Sequence, residues 1–148
     1  NTDRIASWIF DVQGNLRLAY RTTDSGDQEI LRVDPDGFKQ IFSCGMMETC
    51  DAMQFHKDGK RVYIDNNKGA LDLTTLQLLD VETGKELWSA SLPVPGMAVP
   101  MTYEAKGNQY VVIAAGGNAM AGTALSDHLM AYALPAAIPA GVTLPSCT

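Results

Sequence analysis

One unit recurs three times along this chain: an apolar strand, a turn carrying glycine, and a second apolar strand. The first copy is Trp8-Ile9-Phe10, a turn at Gly14, then Leu16-Arg17-Leu18-Ala19-Tyr20. The second is Met53-Gln54-Phe55, Gly59, then Val62-Tyr63-Ile64, and the third is Met101-Thr102-Tyr103, Gly107, then Tyr110-Val111-Val112-Ile113. The three glycines lie 45 and then 48 residues apart. A period of about 40–50 residues built only of short strands is the signature of propeller blades. The expected fold is therefore all-β, with propeller-type blades of four antiparallel strands. About three blades fit in the chain, fewer than the four or more that close a ring.

Turn chemistry divides the repeat into strands. Gln13-Gly14-Asn15, Ser25-Gly26-Asp27 and Pro35-Asp36-Gly37 are rich in residues that accept positive φ or preset a turn. They bound strands at Ile5–Asp11, Leu16–Arg21, Gln28–Asp34 and Phe38–Phe42, within which apolar and polar side chains broadly alternate. The second blade reads as Asp51–Phe55, Arg61–Asp65, Leu76–Val81 and Glu86–Ala90, with a protruding loop from Asn66 to Leu73. The third reads as Val99–Glu104, Gln109–Ala115 and His128–Leu134, with a glycine-rich loop from Gly116 to Ser126. It lacks a fourth strand, because Pro135 to Gly141 has the composition of an extended tail. The expected division is three blades over 1–134, at about 1–48, 49–92 and 93–134, followed by a Pro/Ala-rich tail at 135–148. Little helix is expected. Open edges at both ends call for another copy to close the ring, with a dimer and its six blades favoured.

Charge and length exclude several partners. The chain has 148 residues, a net charge of −6 and no cluster of Lys and Arg, so it offers no basic footprint for nucleic acid. No apolar run reaches the ~18 residues of a membrane span. The opening Asn1-Thr2-Asp3-Arg4 has neither initiator Met nor an apolar leader and reads as an excised end. Cys44 and Cys50 lie six positions apart, either as a loop disulfide or as two reduced thiols, and spacing does not choose. No Cys-x-x-Cys pair supports zinc, and Cys147 is a free or intermolecular thiol.

Several chemistry-bearing residues read as structural. His56 precedes a turn and is expected to cap it or face solvent. The loop Asp65 to Asp72 carries oxygen ligands but also Lys68, and lacks the alternating ligands of a calcium loop. The methionines, among them Met46, Met47, Met97, Met101, Met120 and Met130, read as core filler. Trp8 and Trp88 are expected to pack between blades.

Two resemblances meet in the middle of the chain. Trp8-Ile9-Phe10-Asp11, Gly14-Asn15-Leu16-Arg17 and the run from Phe42 to Asp80 resemble the N-terminal propeller of prolyl-oligopeptidase-like serine peptidases, a likeness covering residues 1–85. The run from Leu78 to Gly117, with Asp127 and Ala131–Pro135, is similar to the C-terminal blades of membrane-type glucose dehydrogenases that use pyrroloquinoline quinone. This second likeness covers residues 77–135. Its Asp80-x-x-Thr83-Gly84-Lys85-x-Leu87-Trp88 is a common blade motif of quinoprotein propellers. The overlap at Leu78–Lys85 suggests a chimera joined at that hairpin.

Each resemblance implies machinery that is largely missing. A serine peptidase needs a nucleophile, base and acid on a hydrolase domain, and the chain has no Gly-x-Ser-x-Gly. A quinoprotein dehydrogenase needs a full ring, a calcium or magnesium ion and a carboxylate base. The resemblance assigns only the loop with Gly116, Gly117 and Asn118 to the mouth of that active site. Sugar-oxidising members usually have His where Asn118 stands. The expected function is thus a non-catalytic scaffold or binding module with no cofactor, and binding of proline-containing peptides is a weaker form of it. The alternative is a remnant of a sugar or alcohol dehydrogenase using pyrroloquinoline quinone and calcium, which would imply a periplasmic origin.

Overall fold

The structure, a computed structural model, describes residues 3–69, 74–96 and 98–134. The tail at 135–148 with Cys147, Met97, and positions 70–73 of the protruding loop lie outside the described residues.

Among the described residues, eleven strands form three antiparallel sheets. The first sheet holds β1 (Ile5–Phe10), β2 (Leu16–Thr22), β3 (Gln28–Asp34) and β4 (Gly37–Cys44) in sequential order. The second holds β5 (Cys50–Phe55), β6 (Arg61–Asn66), β7 (Thr74–Asp80) and β8 (Glu86–Leu92) in the same arrangement. The third has β9 (Met101–Ala105), β10 (Asn108–Ala115) and β11 (His128–Leu134), with β10 in the middle. A single turn of 3₁₀ helix at Ala119–Ala121 is the one helical element among the described residues. This is the expected all-β architecture, three blade-like sheets in an unclosed stack.

The stack places the core in two layers. Between the first and second sheets lie Leu18, Ile30, Ile41, Val62, Ile64 and Leu79. Between the second and third lie Tyr63, Leu76, Leu78, Trp88, Val111 and Ile113. Alternate residues of β6 thus serve alternate layers, and Val62, Tyr63 and Ile64 are consecutive and fully buried. Close approach of the first two sheets requires glycine at position 84. Its φ is 73°, and a Cβ there would stand 2.7 Å from the Ile41 carbonyl oxygen.

The glycine hairpins share one end of the stack and the longer connections share the other. At the hairpin end, Gln13 Nε2 donates to the Lys57 carbonyl at 3.2 Å, which ties the β1–β2 turn to the β5–β6 turn. At the loop end, Lys68 Nζ donates to the Ser43 carbonyl at 2.6 Å, and Met46 N donates to Asp27 Oδ1 at 3.2 Å. Cys44 and Cys50 form a disulfide there, so the open choice between bridge and thiols resolves to the bridge. It straps the end of β4 to the start of β5.

Two side-chain expectations fail. Trp88 does lie between sheets, but Trp8 is 48% exposed on the outer face of the first sheet, with Phe38 at 6.0 Å between ring centroids. No described sheet covers that face. The methionines are also not core filler as a group. Met46, Met47, Met101 and Met120 are exposed, and of the described methionines only Met53 and Met130 pack against a core layer. Met46 lies against the Gly26 turn at the loop end, and Met101 is on the outer face of the third sheet, which no described element covers.

Candidate functional site

The loop expected at an active-site mouth connects β10 to β11 at the loop end of the third sheet. Gly117 has φ 68°, and its N–H donates to the Pro95 carbonyl at 3.0 Å. Ser126 N closes the loop onto the Gly116 carbonyl at 3.0 Å. Asn118 N donates to Thr123 Oγ1 at 2.6 Å, and Asn118 Oδ1 accepts from Met120 N at 3.0 Å, capping the short 3₁₀ turn. The structure therefore brings Gly116, Gly117 and Asn118 together, but the Asn118 carbonyl is turned back on its own loop. A Cβ at Gly117 would collide with the Ala124 carbonyl. Gly117→Ala is expected to cost about 1–2 kcal/mol from left-handed strain alone, with the loop's amides losing exchange protection. Hydrogen exchange of residues 116–126 measures this, and unchanged protection would refute it.

His128 follows, with its Nδ1 against Ser126 Oγ. Both residues are exposed or half-buried, and no carboxylate orients the imidazole among the described contacts, so this pair is no hydrolytic triad.

A second polar cluster was missed by the sequence reading. Of the two expectations for His56, capping holds, since its Nδ1 accepts from Asp58 N in the turn at 3.3 Å, and solvent exposure does not: it is 2% exposed and lies at the hairpin end between the second and third sheets. Gln109 Nε2 meets His56 Nε2 at 2.6 Å, Asp58 Oδ2 lies 3.1 Å from its Nδ1, and Arg61 Nη2 donates to the ring. Burial opposes ionisation of Asp58, but hydrogen bonds from Lys60 N and Arg61 and the nearby positive charge hold its carboxyl below the usual range. The Tyr63 hydroxyl is buried without a partner among the described residues, and burial pushes it up to about 12. The equivalent position in the first sheet is Asp11. Its carboxylate accepts from Gln13 N at 3.0 Å and Asn15 N at 2.9 Å, with Arg17 at 3.5 Å. Burial is outweighed there by those hydrogen bonds and the Arg17 charge, and Asp11 is held low. These clusters join turns of neighbouring sheets.

No group of three or more His, Cys, Asp or Glu side chains that could hold a metal comes together among the described residues. No helix of the described residues is long and apolar enough to cross a membrane.

Three stacked antiparallel sheets with hairpins at one end and longer loops at the other define a stretch of β-propeller. Residues 26–111 match the family described as PQQ: glucose/ethanol/alcohol dehydrogenase, beta-propeller domain, and the chain belongs to that family. Over 67 residues it is 54% identical to quinoprotein glucose dehydrogenase A of Acinetobacter calcoaceticus, covering 45% of this chain and 8% of that protein. It is 53% identical over 70 residues to the glycerol dehydrogenase large subunit of Gluconobacter thailandicus, 47% of this chain and 10% of that protein. Quinoprotein glucose dehydrogenase of Escherichia coli K12 is 50% identical over 60 residues, 40% of this chain and 8% of that protein. The chain thus spans a tenth or less of the length of these relatives.

Two expectations change accordingly. The family match takes in the hairpin at Leu78–Lys85 and much of the stretch worded like a peptidase propeller. It supports the dehydrogenase resemblance and shows neither a peptidase segment nor a join. The expectation of no cofactor is overturned, since the family and its relatives are quinoproteins. The described residues do not by themselves fit such a group, however. Pyrroloquinoline quinone is an anionic tricarboxylate held with a metal ion, whereas the Gly116–Ser126 loop contains no Lys, Arg, Asp, Glu or His.

Proposed function

We propose that these three sheets are consecutive blades of a quinoprotein dehydrogenase propeller that oxidises sugars or polyols. In this reading they form part of the ring wall and supply one loop at the mouth of the site. The cofactor's remaining contacts come from blades outside this stretch. The observation that carries the reading is the match of residues 26–111 to the dehydrogenase propeller. The outer faces support it. Met101, Tyr103, Tyr110, Val112, Leu129 and Ala131 share the uncovered side of the third sheet, as its register requires. On the first sheet Trp8 and Phe38 are similarly uncovered by any described element. Such faces await neighbouring blades. The Cys44–Cys50 disulfide suits an oxidising, periplasmic setting.

The test is a graft. Residues 77–134 replace the corresponding segment of the Escherichia coli glucose dehydrogenase, and quinone-dependent dye reduction with glucose is measured. The graft is expected to oxidise glucose more slowly than its parent, with Asn118→His raising the rate at least tenfold. A graft that melts cooperatively but stays inactive with and without Asn118→His would overturn the reading.

A second reading rests on the same uncovered faces. The isolated chain closes its ring with a second copy, giving six blades. Light scattering decides it: a discrete dimer supports ring closure between copies, and a monodisperse monomer excludes it.

A further inference from the structure

On the inner hairpin of the second sheet, Asp51 of β5 stands directly opposite Asp65 of β6. Directly opposed residues of an antiparallel pair point to one face with Cβ atoms about 4.5–5.5 Å apart, and like charges there repel. The face is the one turned to the third sheet, since Asp65 alternates with Ile64 and shares its side with Tyr63. Asp65 Oδ1 is buried and has no hydrogen-bond partner among the described residues. Among those residues neither carboxylate has an ion-pair partner.

The Asn66 backbone N–H donates to Asp65 and partly offsets the pair, but no described cation does. Leu76 of β7 lies across from Asp65 on its other side and carries no charge. Lys68, in the next loop, is turned to the first sheet and its Nζ is spent on Ser43. From the first sheet, Tyr20 and Arg21 border with Asp51 a cavity of about 350 Å³, and Arg21 is paired with Glu29 at 2.6 Å. On the facing side of the third sheet the titratable groups are Glu104, His128 and Tyr132. Glu104 lies toward the opposite, hairpin end, His128 contacts Ser126, and the Tyr132 hydroxyl donates to the Ser91 carbonyl at 3.1 Å.

We propose that Asp51 and Asp65 hold one proton between them at mildly acidic pH, and that its loss as the pH rises through neutrality loosens the loop end of the second sheet. That end includes Cys50, which pairs with Asn66, and residues 67–69 that follow Asn66. The proton is a latch. With it, one carboxyl is neutral and the ladder carries a single charge. Without it, two carboxylates face each other and one has an oxygen with no donor. Burial first, and the Asp51 charge second, push Asp65 up to about 7 against the hydrogen bond from Asn66 N. Partial desolvation also raises Asp51, which is otherwise exposed on the edge strand β5. Asp65 is thus protonated in the folded chain and ionised in the unfolded chain between about pH 4 and 7. Across that window stability falls as pH rises, and above it this contribution levels off.

Carbonyl-carbon NMR of the aspartate side chains in the intact chain tests this directly. One carboxyl is expected to titrate with a midpoint near 7, Asp65→Asn should remove that transition, and Asp51→Asn should lower its midpoint by at least one unit. The fall in melting temperature between pH 4 and 7 should be smaller in Asp65→Asn than in the native chain. If every aspartate of the native chain titrates below pH 5, the latch does not exist, whatever the variants do. A midpoint near 7 that persists in Asp65→Asn would also overturn it.

Discussion

Replacing Trp88 by Ala is expected to lower the unfolding free energy by about 3–5 kcal/mol, the range for emptying a large buried aromatic site. Trp88 is 4% exposed on β8. Leu78 lies directly across from it on β7, and Tyr132 of the third sheet meets it edge-on at 5.3 Å between ring centroids. The indole is therefore shared by two sheets, and its loss opens a cavity that neither can fill alone. A loss of that size is roughly a fifth or more of the stability of an ordinary domain. The control is the other tryptophan. Trp8 is half-exposed and touches only the outer side of its own sheet, so Trp8→Ala should cost about 1 kcal/mol, nearer a surface substitution. Urea denaturation followed by far-UV circular dichroism measures both. Equal losses at the two sites would mean that the second and third sheets do not pack as described.

The two tryptophans also show where the sequence stops being readable. Both occupy apolar strands beside glycine turns, and nothing local separates them. Their difference arises from the stack: Trp88 faces a third sheet, whereas Trp8 is on an end sheet. The strands themselves were legible, with β3 and β11 running over the expected residues, because period-two patterning and turn glycines act over a few neighbours. The interior of the second sheet was less so. Val62, Tyr63 and Ile64 form an unbroken buried run, since both faces of a middle sheet are covered. That His56 would be buried while capping its turn was not legible for a related reason. Its neighbours Lys57, Asp58 and Gly59 are those of an exposed turn, and the group that buries it, Gln109, comes 53 residues later. At the candidate site, Gly116 and Gly117 announced a loop. That Asn118 would cap a 3₁₀ turn within it depends on Met120 and Thr123, and no pattern in the sequence flagged that arrangement.

Reduction of the Cys44–Cys50 disulfide is expected to cost about 2 kcal/mol, near the low end of the usual range because the closed loop is short. The two cysteines lie six positions apart, and their Cα atoms are 6.2 Å from each other. Loop-closure entropy grows only with the logarithm of length, so a short loop constrains the unfolded chain least. The native contacts at this strap set how local the damage is. Glu48, inside the loop, accepts from Gly45 N and Gly69 N, each at 2.7 Å, and these two hydrogen bonds hold its carboxyl below the usual range. Thr49 N donates to Asn67 Oδ1 at 2.7 Å. The loop is thus pinned to the connection after β6 as well as by sulfur. Reduction should therefore lower the denaturation midpoint while leaving the two core layers in place, with exchange protection lost at residues 45–49 before β2 or β6. Both sulfurs belong to buried residues, so reductant acts slowly, and Cys44→Ala with Cys50→Ala is the cleaner comparison with the oxidised chain. Loss of the whole cooperative transition in that double variant would show that the strap holds the first and second sheets together. An unchanged midpoint would show that Glu48 and Asn67 suffice to hold the loop without it.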